Sequence, residues 1–496
     1  MIKLIYRIES DYMSKKRMLI VTSVILSVVT ISLGIVKLYQ TYALSNYIGA
    51  DTDTGIDVYI NDDSYVSIPA NGSSNVYYML TNTNPGTVKY GVAYQTTSGV
   101  TVKVYDTSED PATGTIEENG KKYIKLHLEN KNSTSKTIEL STVLGYENGG
   151  DLVVPSGVTL VTDTYTPPLT AAETIIKLYT DASKTTVTNN SITYNTAPSV
   201  SLMNDRLGGT TTSLDGGNIR YYGASPNNYI YFNCSDYSNQ SSSTCETWRI
   251  IGVFNGKLKI IRNESIGTYA WDNKDTSTGA ENDYGKNDWT TARLMKLLNS
   301  SDYYTTDSND NGLGQSLYWN SASGKCYSGR NNATIDCNFT STGIKNDTTR
   351  NLISEEKWNI GGWNSSSVYS NQIYGYERGT TVYKERPTTW TGKIGLMYPS
   401  DYGYAADLIQ CTQNLYNYNN STCKSNDWLF NSAFQWALAP DSGASSHAWS
   451  AHSSGYVYYY YSVSATYGVR PALYLDSDVA MGPGDGSSSN PYQLSV

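Results

Sequence analysis

From Gly55 to Asp163 short β-prone runs alternate with turn signals: DVYIND, NVYYMLTNTNPG, KYGVAYQT, VTVKVYD, KYIKLHLEN, TIELSTVLGY and VTLVTD. Runs of about five to eight residues at intervals of about a dozen predict a β-sandwich of about seven strands across 51–165. TYTPPLTAA then marks a joint, followed by an amphipathic helix from Ala171 to Asp181 with Ile175, Ile176 and Leu178 on its apolar side. A Ser/Thr/Asn-rich stretch without periodicity runs on to Gly217, so 166–217 reads as a linker with one short helix, or as an extended wrap around the next domain. ETWRIIGVFNGKLKIIRNES is the clearest local signal: two β-prone runs joined by Asn255-Gly256, the dipeptide suited to a two-residue type I′ turn. NDWTTARLMKLLN predicts a helix capped by Asp288, with Trp289, Ala292, Met295 and Leu298 on one face. Long Gly/Asn/Ser/Tyr-rich connections fill Ser300 to Thr391, and IGLMYPS and WLFNSAFQWALAP supply further strands. In YVYYYYSVS, alternation puts Val457, Tyr459, Tyr461 and Val463 on one face, and Tyr456, Tyr458, Tyr460, Ser462 and Ser464 on the other.

One pattern stands apart. Lys15, Lys16 and Arg17 precede an uncharged run from Met18 to Val36, which as a helix would rise about 28 Å, close to a bilayer core. The basic flank makes 1–17 a cytoplasmic tail, 18–36 a single membrane span, and everything after it extracellular. A cleaved signal peptide is the competing reading, with a weak small-residue site at Tyr42-Ala43-Leu44.

Composition fits an exported β-rich protein. The chain carries 45 Tyr and 10 Trp against 5 Phe, with only 16% charged residues and a net charge of -9. An acidic chain without a basic cluster beyond its N-terminus does not suit nucleic acid. The six cysteines form neighbouring pairs, Cys234/Cys245, Cys326/Cys337 and Cys411/Cys423. Their spacing suggests local disulfides, with free thiols as the other reading; it does not match zinc ligands.

Enzyme signatures are thin: there is no Gly-rich phosphate loop, no His-Glu-x-x-His pair and no Gly-x-Ser-x-Gly elbow. Only three histidines occur in the chain. Glu281, Asp283 and Asp288, or Glu355 and Glu356, could form a glycosidase-like pair in space, although loop and cap roles weigh more. DSNDNG, from Asp307 to Gly312, has the alternation of a calcium loop without its closing Glu, so calcium stays open as a cofactor and no other is implied.

The segment from Ser442 to Val469 is free of charge and holds two histidines. Tyr, Ser, His, Trp and Gly are the residues of antibody-like contact surfaces, where Tyr gives rigid area and Ser adaptable hydrogen bonds. The order WALAPDSG, the Tyr/Ser window, YGVRPALYLD and GDGSSSNPYQL, together with WRIIG and LMYPSDYGYA, resembles the C-terminal module of exported proteins from Gram-positive and mycoplasma-like gut bacteria. That module is similar in layout to the C-type-lectin-like fold of formylglycine-generating enzymes and of the variable proteins diversified by retroelements. The resemblance covers 218–496. It implies a scaffold of Trp436, Gly468, Val469 and Arg470, and a displayed ligand-binding set of His447, Trp449, His452, Tyr456, Tyr458, Tyr459, Tyr460, Tyr461, Ser464 and Tyr467. The Glu-Pro-Asn and Trp-Asn-Asp sugar motifs of true C-type lectins are absent, and the cysteines read as structural rather than as a reactive pair. The expected architecture is therefore mainly β with an α+β C-terminal domain: a transmembrane helix, an Ig-like sandwich stalk and a C-type-lectin-like head. The expected function is non-enzymatic binding of an extracellular protein or glycan, against an exported glycan-acting hydrolase using Glu281 and Asp283, or a purely structural surface protein.

Overall fold

The computed structural model describes residues 58–59, 65–82, 86–145, 152–206, 217–273, 284–305, 313–330 and 332–496. The tail at 1–17 and the span at 18–36 lie outside them. Among the described residues no helix is long and apolar enough to cross a membrane. The chain separates into two compact units, Met1–Pro167 and Pro168–Val496, with the division inside the proline-marked joint.

The first unit is all β. Its strands are β1 (Val58–Tyr59), β2 (Tyr65–Ile68), β3 (Gly72–Asn82), β4 (Val88–Gln95), β5 (Val100–Tyr105), β6 (Thr113–Ile116), β7 (Lys121–Asn130), β8 (Lys136–Gly145), β9 (Val158–Leu160) and β10 (Thr164–Tyr165). They form two sheets, β1-β3-β7-β5-β10 and β2-β8-β4-β6, with β9 added to β4. Alternation along β7 sends Ile124, Leu126 and Leu128 inward, where they meet Tyr90, Val92 and Ile138 of the other sheet. That shared apolar layer makes the unit a sandwich.

The second unit packs a large core between two further sheets. One takes the order β11 (Thr185–Asn189), β12 (Ile192–Ala197), β13 (Leu202–Asn204), β14 (Ile219–Tyr221), β16 (Glu246–Phe254), β17 (Lys257–Arg262), then the strands Ala472–Tyr474 and Ile394–Gly395, with β15 (Tyr229–Phe232) beside β16. The other runs from Thr268–Ala270 through Thr466–Gly468, Gln435–Pro440 and His447–Ala451 to an edge strand, Val457–Ser462. The β16–β17 turn places Asn255 and Gly256 at φ 50° and 75°, as the Asn-Gly signal requires.

Two sequence expectations change here. The stretch 166–217, expected to be a linker or a wrap, is in its described part 168–206 built into the second unit: β11 to β13 extend its large sheet, and the helix Ala171–Asp181 buries Ala171, Ala172, Ile175 and Tyr179, leaving Ile176 exposed. A few of their polar residues are buried, for instance Asn189, whose amide donates to the Leu408 and Cys411 carbonyls at 3.1 Å each. The helix expected from Asp288 begins only at Arg293. Asp288 instead holds a turn, accepting from the Thr290 N–H and hydroxyl and pairing with Lys286 at 3.0 Å. All three cysteine pairs are bonded locally, Cys234–Cys245, Cys326–Cys337 and Cys411–Cys423.

Candidate ligand-binding surface

The Tyr-rich window folds as a hairpin whose second strand, Val457–Ser462, is the open edge of its sheet. The connection is tight at Gly455, whose φ is 111°. A Cβ there would stand 3.1 Å from the Tyr418 carbonyl oxygen, so only glycine fits without strain. His452 closes the same turn: its Nδ1 lies 3.0 Å from the Ser454 N–H and 2.8 Å from the Ser454 hydroxyl.

A bulge breaks the alternation. Ser450 pairs with Tyr458 and Ala448 with Tyr461, so Tyr459 and Tyr460 together oppose Trp449. Tyr459 and Tyr461, expected on one face, consequently pack against different core clusters, Tyr459 with that of Trp449 and Tyr461 with that of Trp436. Val457 and Val463 are buried as alternation requires.

Around the bulge the rings assemble. His452 stacks on Tyr456 at 4.2 Å, the Tyr456 and Tyr461 hydroxyls are 3.1 Å apart, and Tyr458 meets Tyr461 edge-on at 5.7 Å. Tyr467 lies 5.4 Å from Tyr461 and tilts over buried Trp436 at 4.7 Å. Tyr460, 51% exposed, lies flat on His447 at 3.9 Å. Two members were not visible in the window. Phe434 stacks on Tyr467 at 4.6 Å and touches His452 at 4.2 Å. Tyr416, 49% exposed, stands 5.8 Å from both Tyr456 and Tyr458 and comes from the loop that Cys411–Cys423 closes. The only signal for them was aromatic character beside a strand start and inside a cysteine loop.

Two residues expected to be displayed are not. Trp449 is fully buried, its indole N–H donating to the Trp363 carbonyl at 3.1 Å, because the strand it occupies lies inside the sheet. Ser464 is buried too, its hydroxyl 2.9 Å from that of Ser462. Trp436, Gly468, Val469 and Arg470 lie in the interior. Arg470 ties the strand end to its neighbour, donating to the Arg262 carbonyl at 2.8 Å and to Gln435 at 3.0 Å.

The surface is electrically quiet. Burial pushes the His447 and His452 imidazoles below their ordinary value, which favours their uncharged forms. Burial, then the hydrogen bond with Tyr456, pushes the Tyr461 phenol up. Such an array can stack on planar or C–H faces and exchange neutral hydrogen bonds.

Charge is concentrated elsewhere, in the core. Asp401 accepts from Lys259 at 2.5 Å and from Arg220 at 3.0 Å, and Arg220 reaches Asp205 at 2.6 Å, all four side chains being buried. Burial pushes Lys259 down to about 8; it would raise Asp401, but Lys259 and Arg220 hold that carboxyl below its usual range. The neighbouring opening, about 60 Å³ and lined by Asn218, Glu356, Tyr374 and Arg378, has room for little beyond water. Glu355 and Glu356 have separate partners, Tyr303 and Lys257. Glu281, Asp283 and the 307–312 loop lie outside the described residues, and among those described no three His, Cys, Asp or Glu side chains gather to hold a metal.

No protein-family model, curated protein or solved structure matches the chain.

Proposed function

We propose that this chain is a membrane-anchored, outward-facing binding protein that captures an extracellular protein or glycan without transforming it. In this reading 18–36 anchors it, the sandwich is an Ig-like stalk, and 218–496 is a C-type-lectin-like head. The observation that carries the reading is the uncharged aromatic surface of His452, Tyr456, Tyr458, Tyr460, Tyr461 and Tyr416, partly exposed along a sheet edge over a core that holds Trp449 and Trp436. Rigid rings of this kind lose little entropy on contact, which suits recognition by stacking.

Diversification by a retroelement belongs to the same proposal. Changing an AAC codon at its first two bases yields Tyr, Ser, His and Ala, the residues that dominate the window. The displayed tyrosine codons are then expected to share a third base and to have a near-copy template beside a reverse transcriptase gene; mixed third bases and no template remove diversification but leave binding standing.

Binding is tested by presenting the full-length protein to a printed glycan array and a displayed peptide library, with a Tyr458→Ala/Tyr460→Ala variant beside it. The expected result is a saturable ligand whose affinity drops at least about tenfold in the variant, while stability moves by less than about 1 kcal/mol. No saturable ligand, or a ligand bound equally by the variant, overturns the reading.

A further inference from the structure

The first unit carries a second aromatic surface of a different character. Because Ile124, Leu126 and Leu128 of β7 enter the core, Tyr123, Lys125 and His127 face outward. Register extends that face across its neighbours: Tyr77 and Met79 of β3 stand opposite Lys125 and Tyr123, and Lys103 of β5 opposite His127. β10 adds Tyr165 beside Tyr105. Five rings and two lysines therefore share one outer sheet face.

These side chains are packed into a platform. The His127 ring lies flat on Tyr165 at 3.6 Å, and Tyr105 meets Tyr165 edge-on at 5.0 Å. The Lys125 ammonium sits 4.2 Å from the Tyr105 ring centre and 5.8 Å from that of Tyr77. Tyr77 is 50% and Tyr123 47% exposed, and as diagonal neighbours their Cα atoms are about 7–8 Å apart.

The charge on this face is positive in balance: Lys103 and Lys125 share it with Glu129, which the alternation of β7 also turns outward. Neither Lys103 nor Lys125 is ion-paired among the described residues, whereas Asp110 nearby is committed to Lys122 at 2.8 Å. Among the described residues Glu129 is the carboxylate felt by His127, with Lys103 opposing it. In a chain of net charge -9, cations concentrated among open rings select an anionic partner.

We infer that this face binds an acidic glycan, a polymer of uronic-acid-type sugars. Pyranose C–H faces lie on Tyr77 and Tyr123, and carboxylates meet Lys125 and Lys103. Two lysines are too few for the phosphate tracking that nucleic acid needs. A second copy of the chain is disfavoured by charge, since a two-fold contact sets these lysines against their own equivalents.

The test measures binding of fluorescent polygalacturonate to the full-length protein, with neutral dextran as control. Saturable binding to polygalacturonate alone is expected, weakening with added salt. Lys125→Ala and the double variant Tyr77→Ala/Tyr123→Ala should each weaken it at least about tenfold without lowering Tm, whereas Tyr458→Ala/Tyr460→Ala should leave it unchanged. Equal binding of dextran, no saturable binding, or unchanged affinity in correctly folded face variants overturns the proposal. So does a concentration-dependent dimer abolished by the same face substitutions.

Discussion

Trp449 and Tyr460 oppose one another across the bulged hairpin, and they occupy opposite environments. Trp449→Ala removes a fully buried indole and its hydrogen bond and should cost about 3–5 kcal/mol in urea unfolding. Tyr460→Ala trims a half-exposed ring and should stay within about 1 kcal/mol, its effect falling on the ligand instead. The histidines add a pH dependence. Their folded values are lowered by burial, so between the folded and unfolded values the unfolded chain holds more protons. Stability is therefore complete above the unfolded value of about 6.5 and is lost as pH falls through the lower folded values. His447→Phe keeps a flat ring against Tyr460 and cannot titrate, so a Tm profile against pH should show a shallower acid limb. An unchanged acid limb would place that loss elsewhere.

Among the elements, the Cys411–Cys423 loop links covalent structure to the surface because it presents Tyr416 to Tyr456 and Tyr458. Replacing both cysteines by Ser should destabilise the fold by about 3 kcal/mol and weaken ligand binding as much as Tyr416→Ala does. Full affinity in the double variant would show that the loop keeps its place without the bond. Elements whose cause is local could be read from the sequence: the Asn-Gly turn, the alternating sandwich strands, the neighbouring cysteine pairs and the aromatic edge strand. Elements whose cause is distant could not. β11 to β13 have a polar composition that looks like linker until Asn189, Thr196 and Asn204 are buried against distant segments of the chain. The bulge at Tyr459 and Tyr460 depends on pairing with Trp449, and nothing within YVYYYY marks it. Tyr416 and Phe434 reach the surface only through tertiary packing.

At the scale of the second unit, the buried ions join segments far apart in the chain: Arg220 of β14, Lys259 of β17 and Asp401 of the helix Pro399–Ala405. Asp401→Asn removes one side of two pairs and should cost about 3–5 kcal/mol, because it strands buried cations. Replacing Lys259 by Met and Asp401 by Leu together should recover part of that loss if the charges act as a cross-link; equal loss would mean that Asp401 matters through its backbone contacts. The large sheet carries a further consequence. Ala472–Tyr474, close to the end of the chain, lies between β17 and Ile394–Gly395 rather than at a margin. Synthesis must reach those residues before β17 and Ile394–Gly395 can be joined, so this side of the sheet closes last. Any stop codon or shifted reading frame upstream deletes this strand and leaves both β17 and Ile394–Gly395 with an unpaired edge, the state that aggregates or is degraded. If the tyrosine window is rewritten as proposed, a change that shifts the reading frame therefore yields no stable protein to display it.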